Sequence, residues 1–134
     1  MTNKEERYSD AERRRHPRYH TSFRARITTE AGTTDGTVTS LSLSGLQLHC
    51  GRQVAEEVLP NVQRAILSSP VNVDVSFEVP TSASSRSAIQ VQCRITNARR
   101  ESRDKFWLGG AFVTFSKDSE EYLQDYLRHF GQRL

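Results

Sequence analysis

The sequence predicts a mainly β fold, a six-stranded antiparallel barrel or barrel-like sheet carrying one C-terminal α-helix and a short helical insertion. Three observations carry this reading. Apolar residues recur at every second position in several segments punctuated by Gly, Pro and Ser. Strands do not alternate with helices of crossover length, which argues against a parallel sheet. Well-sustained helical spacing occurs late, over Tyr122, Leu123, Tyr126, Leu127 and Phe130.

Each element follows from local pattern. Residues 1–13 are charged with almost no apolar partner, so they bury too little to offset ordering entropy, and a flexible tail is expected there ahead of a domain spanning 14–134. Pro17 bars a helix and biases His16 toward extended backbone, which places Arg14 to Arg18 on a loop. From Phe23, the apolar set Phe23, Ala25 and Ile27 alternates with Arg24, Arg26 and Thr28, the pattern of a half-buried strand. Gly32 and Asp35-Gly36 supply turn chemistry, and Thr37–Leu41 and Leu46–Cys50 read as two strands broken at Ser44-Gly45. Residues 51–70 place Val54, Val58, Leu59 and Val62 at loosely helical spacing around Pro60, hence the helical insertion.

Val71, Val73, Val75, Phe77 and Val79 give the clearest strand, ended by Pro80. After a Ser-rich loop, Ile89, Val91, Cys93 and Ile95 alternate with Gln90, Gln92 and Arg94. Asn97–Lys105 reads as a charged hairpin tip. Phe106–Phe115 forms the last strand, with Trp107, Phe112 and Phe115 read as core, like Tyr122 after them, and a bulge or close backbone approach expected at Gly109-Gly110. Asp118 with Glu121 three residues on resembles a capping box, and the amphipathic helix then runs to Gly131.

Composition narrows the function classes. A chain of 134 residues fits one domain with a real core. The net charge of +3 is mildly basic and its surplus lies early. Residues 13 to 26 hold six arginines and no acid. This favours a local anion site over a nucleic-acid track, and the strands offer aliphatics rather than the interleaved aromatics of a nucleic-acid face. Cys50 and Cys93 lie far apart and read as small buried hydrophobes, while the four histidines lack metal spacing. No apolar run reaches the roughly 18 residues needed to cross a bilayer. The first 20 residues are charged where a signal peptide is apolar, so a cytoplasmic protein without membrane insertion is expected. No nucleophile elbow, phosphate loop or HExxH occurs, so no catalysis is expected.

Two short motifs remain. Arg14 and Arg18 form an RxxxR, and Ser40-Leu41-Ser42-Leu43-Ser44-Gly45 lies between apolar stretches. Guanidinium groups fit a phosphate, or the O6/N7 edge of a guanine, two bonds at a time. The run reads either as such a grip or as a solvated basic tail, and Ser42–Gly45 either as a site wall or as a plain hairpin turn. From about Arg13 to Leu127 the chain resembles the PilZ domain family, receptors for cyclic di-GMP. RxxxR matches at Arg14 and Arg18. The family's D/NxSxxG matches at Ser42 and Gly45, with Ser40 in the acid or amide position, and Gly109-Gly110-Ala111-Phe112 resembles a final-strand GxxF.

The resemblance implies a PilZ-type barrel that binds cyclic di-GMP without a cofactor and relays it to a protein effector partner. It implies that Arg14 and Arg18 grip phosphate and the Hoogsteen edge of guanine, with Ser42 and the Gly45 backbone on the facing wall. Ser40 would meet the guanine's Watson–Crick edge with a shorter hydroxyl, weakening binding by on the order of 1.5–3 kcal/mol. Arg13, just ahead of RxxxR, is where relatives that bind a stacked ligand pair carry an arginine. The Ser40 departure also leaves open an adaptor of the same fold that no longer binds nucleotide.

Overall fold

The computed structural model describes residues 17–57 and 71–133. Its elements are β1 (Tyr19–Thr29), β2 (Gly32–Leu41), β3 (Gly45–Gly51), a helix α1 that begins at residue 52 and is described through 57, β4 (Asn72–Val79), β5 (Ser87–Arg100), β6 (Lys105–Phe115), α2 (Ser119–His129) and β7 (Gln132–Arg133). Strands β1 to β6 close a barrel in the order β1-β2-β3-β6-β5-β4 and back to β1, all antiparallel. Closure removes the unpaired edges that an open sheet of this length exposes. The two-residue β7 pairs with the start of β1.

Two-residue alternation does what the sequence implies. Ala25 and Ile27 of β1, Val73, Val75, Phe77 and Val79 of β4, and Ile89, Val91, Cys93 and Ile95 of β5 all point inward and are buried. Leu41, Leu48, Leu108 and Leu123 join them without solvent exposure, the last from α2, which packs against β5. Cys50 and Cys93 are buried in the same core. The early part of the insertion contributes as well, with Val54 and Ala55 of α1 buried.

Several local readings shift. β1 starts at Tyr19 rather than Phe23. Asp35-Gly36 is not a turn but lies within β2, opposite Arg26 and Ala25. Gly36 is instead required for space, since a Cβ there would stand 2.7 Å from Ile27 Cδ1. The β1–β2 turn falls just before Gly32, whose φ of 135° is reserved for glycine. The expected tip at Asn97–Lys105 shrinks to 101–104, because β5 continues to Arg100 and pairs Asn97 with Gly109 and Arg99 with Trp107. At Gly109-Gly110 the expected close backbone approach is found, since a Cβ on Gly45 would stand 2.3 Å from the Gly110 carbonyl oxygen, while the bulge lies across the ladder in β5 between Ile95 and Asn97.

Trp107 departs from its expected core position. Register buries its neighbours Phe106 and Leu108, so the indole faces outward and stacks on His49 at 4.4 Å between ring centroids. Phe112, Phe115 and Tyr122 are partly buried against the core. Asp118 does stand at the N-cap of α2, yet its side chain makes no capping hydrogen bond. The helix start is fixed another way, by the Gln90 N–H donating to Ser119 Oγ at 2.9 Å.

Candidate functional site

The turn joining β2 to β3 is held by its own polar groups. Ser42 N–H donates to the Gly45 carbonyl at 2.9 Å, and Ser42 Oγ accepts from the N–H groups of Ser44 and Gly45 at 3.2 Å each. Phe112 N–H of β6 donates to the Ser44 carbonyl at 2.9 Å. Ser42 is buried, so its hydroxyl organises the turn from inside. The structural and the site-wall readings of Ser42 are therefore compatible, since a wall of fixed shape needs a fixed turn.

Pairing of Tyr19 with Leu41 sets the lead-in to β1 beside this turn, and Arg18 follows Pro17 on that lead-in. Between them opens a cleft of about 510 Å³, a size ordinary for small-molecule sites. Arg18, Ser40, Ser42 and Gly45 line one part of it, while Arg94, Thr96 and Asn97 of β5 and Gly109 of β6 line another. Among the described residues, two guanidinium groups and no carboxylate line the cleft. Arg18 and Arg94 are exposed and neither has an ion-pair partner among the described residues. Ser40 is only 5% exposed, and its hydroxyl likewise has no hydrogen-bond partner among the described residues. Such a cleft attracts anions and offers one buried polar group for a ligand to satisfy.

Four of the six residues singled out in the sequence thus line one cleft. The other two, Arg13 and Arg14, lie outside the described residues, as does the tail before them. Sequence reasoning missed Gln47, Arg94 and Asn97. Arg94 had a usable signal: it is the one cation among Gln90, Gln92 and Arg94, the outward residues that alternate with the core set of its strand, and it lies across from the strand that carries Gly109-Gly110. Asn97 lies against that opening, its amide within 2.9 Å of where a Cβ on Gly109 would sit.

The architecture is that of a small closed β-barrel domain with a C-terminal helix packed on its sheet. The chain belongs to the PilZ domain family, whose sequence profile matches residues 12–129. Among solved structures it resembles the Bacillus subtilis inhibitor of motility MotI/DgrA, with a TM-score of 0.62 at 13% identity over 87% of this chain and 50% of that one. It resembles the K. pneumonia MrkH–c-di-GMP complex, with a TM-score of 0.57 at 16% identity over 87% of this chain and 51% of that one. The PilZ domain of Escherichia coli YcgR with c-di-GMP gives a TM-score of 0.57 at 14% identity over 87% of this chain and 89% of that one. The chain spans about half the length of the MotI/DgrA and MrkH chains. No curated protein sequence matches it. Among the described residues, no helix is long and apolar enough to cross a membrane.

Proposed function

We propose that this chain is a non-catalytic receptor for cyclic di-GMP that acts in the bacterial cytoplasm and passes the signal to a partner protein by conformational change. Arg14 and Arg18 grip the phosphates and the O6/N7 edge of a guanine, and Ser40, Ser42 and the Gly45 backbone form the facing wall. Arg13 serves a second, stacked ligand. Ligand orders the lead-in around Pro17 over the turn, and the surface so changed is what a partner reads.

The observation that carries this reading is that Arg18 shares a cleft with the Ser42–Gly45 turn and a second cation, Arg94, and that among the described residues no carboxylate lines this cleft or pairs with either arginine. Membership of the PilZ family and the presence of c-di-GMP in the MrkH and YcgR structures support it. The unsatisfied Ser40 hydroxyl supports it too, because a guanine edge provides the missing donor. One feature favours a second reading, an adaptor that works through protein contacts alone: Ser40 stands where the family motif carries a longer carboxylate or amide, which weakens the guanine contact.

Isothermal titration with cyclic di-GMP, with GTP as control, separates the two. The receptor reading expects saturable heat for cyclic di-GMP alone and two ligands per chain. It expects a loss of roughly tenfold or more in affinity for Arg14→Ala and for Arg18→Ala. A flat trace with the parent protein favours the adaptor, and parent-like binding by both variants refutes the assignment of the site.

A further inference from the structure

A second groove opens where β1 and β4 part. The β1–β4 ladder spans only Ala25–Thr28, and β7 meets β1 at Tyr19 and His20. Thr21–Arg24 therefore has no neighbouring strand on this flank among the described residues. The groove there has a volume of about 550 Å³. Its floor is apolar, made by Phe23, Phe77 and Pro80, with the Phe23 ring 6.3 Å from Phe77 and 5.3 Å from Tyr126 between centroids.

The rim is cationic. Arg24 and Arg26 project outward from β1, and Arg86 comes from the loop before β5. All three are exposed and lack ion-pair partners among the described residues, and Glu78 is the one carboxylate lining the groove. The loop that presents Arg86 is a built structure: Thr81 N–H donates to the Ser84 carbonyl at 2.8 Å, and Arg86 N–H donates to Ser84 Oγ at 3.2 Å. It is moored to α2 through Ser82 and Asp125.

We propose that this groove docks an extended acidic segment of a partner protein. Its carboxylates meet Arg24, Arg26 and Arg86, an apolar side chain between them rests on Phe23 and Phe77, and its backbone runs along Thr21–Arg24. Three like charges outnumber the two carboxylates near them, Glu78 in the groove and Asp35 opposite Arg26 on β2, and so are complementary to an anionic partner. An apolar floor inside a charged rim is the anatomy of a protein interface core, and an unfilled strand flank suits strand addition. A nucleic acid would use the arginines but leave the apolar floor and the strand flank idle, so the peptide is the better match.

The test needs no nucleotide, so its outcome is separate from that of the cyclic di-GMP titration. Fluorescence anisotropy of the full chain would use a labelled seven-residue peptide alternating Glu with Leu or Val. Controls replace Glu by Lys, or the aliphatics by Ser, and a single-stranded oligonucleotide of equal charge is run beside them. The acidic peptide is expected to bind, to weaken as salt rises, and to lose roughly fivefold or more with Arg24→Glu plus Arg86→Glu, or with Arg24→Gln plus Arg86→Gln should charge reversal impair folding. Serine for the aliphatics is expected to weaken it similarly. Equal binding of the lysine peptide, tighter binding of the oligonucleotide, or unchanged affinity in the arginine variants would overturn the proposal. So would a chain lacking residues 1–12 that binds the peptide roughly fivefold tighter than the full chain, which would give the groove to the chain's own Glu5, Glu6, Asp10 and Glu12.

Discussion

Gly45, at the end of the β2–β3 turn, lies so close to β6 that a Cβ on it would stand 2.3 Å from the carbonyl oxygen of Gly110. The obstacle is backbone, paired through Gly45–Ala111 and Leu46–Gly110, so it cannot swing aside as a side chain could. Glycine is needed here for space rather than for an unusual φ. Gly45→Ala is therefore expected to destabilise the fold by about 1–3 kcal/mol in urea denaturation. Gly51→Ala is the control: its nearest such neighbour is 4.0 Å away, and no loss of stability is expected there. Equal midpoints for the two variants would refute the close-approach argument.

What the sequence made legible, and what it did not, divides along physical lines. Alternation at Val71–Val79 and Ile89–Ile95 revealed strands because each buries one face, and the late helical period revealed α2. The cleft was legible where its residues are close in sequence, as Ser40, Ser42 and Gly45 are. Arg94 and Asn97 were missed because β5 and β6 reach the turn through the strand order β3-β6-β5, which no local pattern encodes. Trp107 was misplaced for a related reason: composition favours burying an indole, but register decides which face of β6 turns inward. At Gly36, turn chemistry was read where the fold needed only room beside Ile27.

Ser40 and Arg94 test the receptor reading from the walls of the cleft. Ser40→Asn lengthens an unpartnered buried hydroxyl into an amide that accepts from a guanine edge without adding charge. Titration with cyclic di-GMP is expected to give roughly tenfold tighter binding, one good hydrogen bond. Arg94→Ala is expected to weaken binding by about tenfold while leaving the melting temperature unchanged, because its exposed guanidinium has no ion-pair partner among the described residues. If neither variant shifts the affinity, guanine and phosphate do not meet this wall.

The two thiols are expected to be inert in the native protein. Burial pushes Cys50 up to about 11, and burial followed by the charge of Asp74 pushes Cys93 up to about 12. With exposures of 5% and 0%, neither presents thiolate to a reagent at neutral pH. Iodoacetamide at about pH 8 should modify both cysteines in denaturant and react at least about a hundredfold more slowly with the folded chain. Rapid stoichiometric labelling of the native protein would show that the barrel opens far more readily than its packing implies.

The mooring of the Ser-rich loop to α2 should depend on pH with a definite sign. Ser82 donates to Asp125 from its hydroxyl and, at 2.8 Å, from its backbone N–H. The hydroxyl bond, then the backbone bond, hold the carboxyl below its ordinary value; desolvation opposes them, and the charges of His129 and Arg128 add to them. A lowered carboxyl stabilises the fold above its unfolded pKa, and that contribution is lost as pH falls through the folded value. Asp125→Asn is therefore expected to lower the urea midpoint at pH 7 and at about pH 5, with the gap to the parent closing below about pH 4. Glu121→Gln, one turn away on the exposed face of α2, should show no such convergence. Hydrogen exchange at Ser82 N–H offers a local readout: protection should fall in Asp125→Asn at neutral pH and match the parent in acid. A gap that stays constant down to about pH 3 would mean that the ionised carboxylate is not what holds the loop.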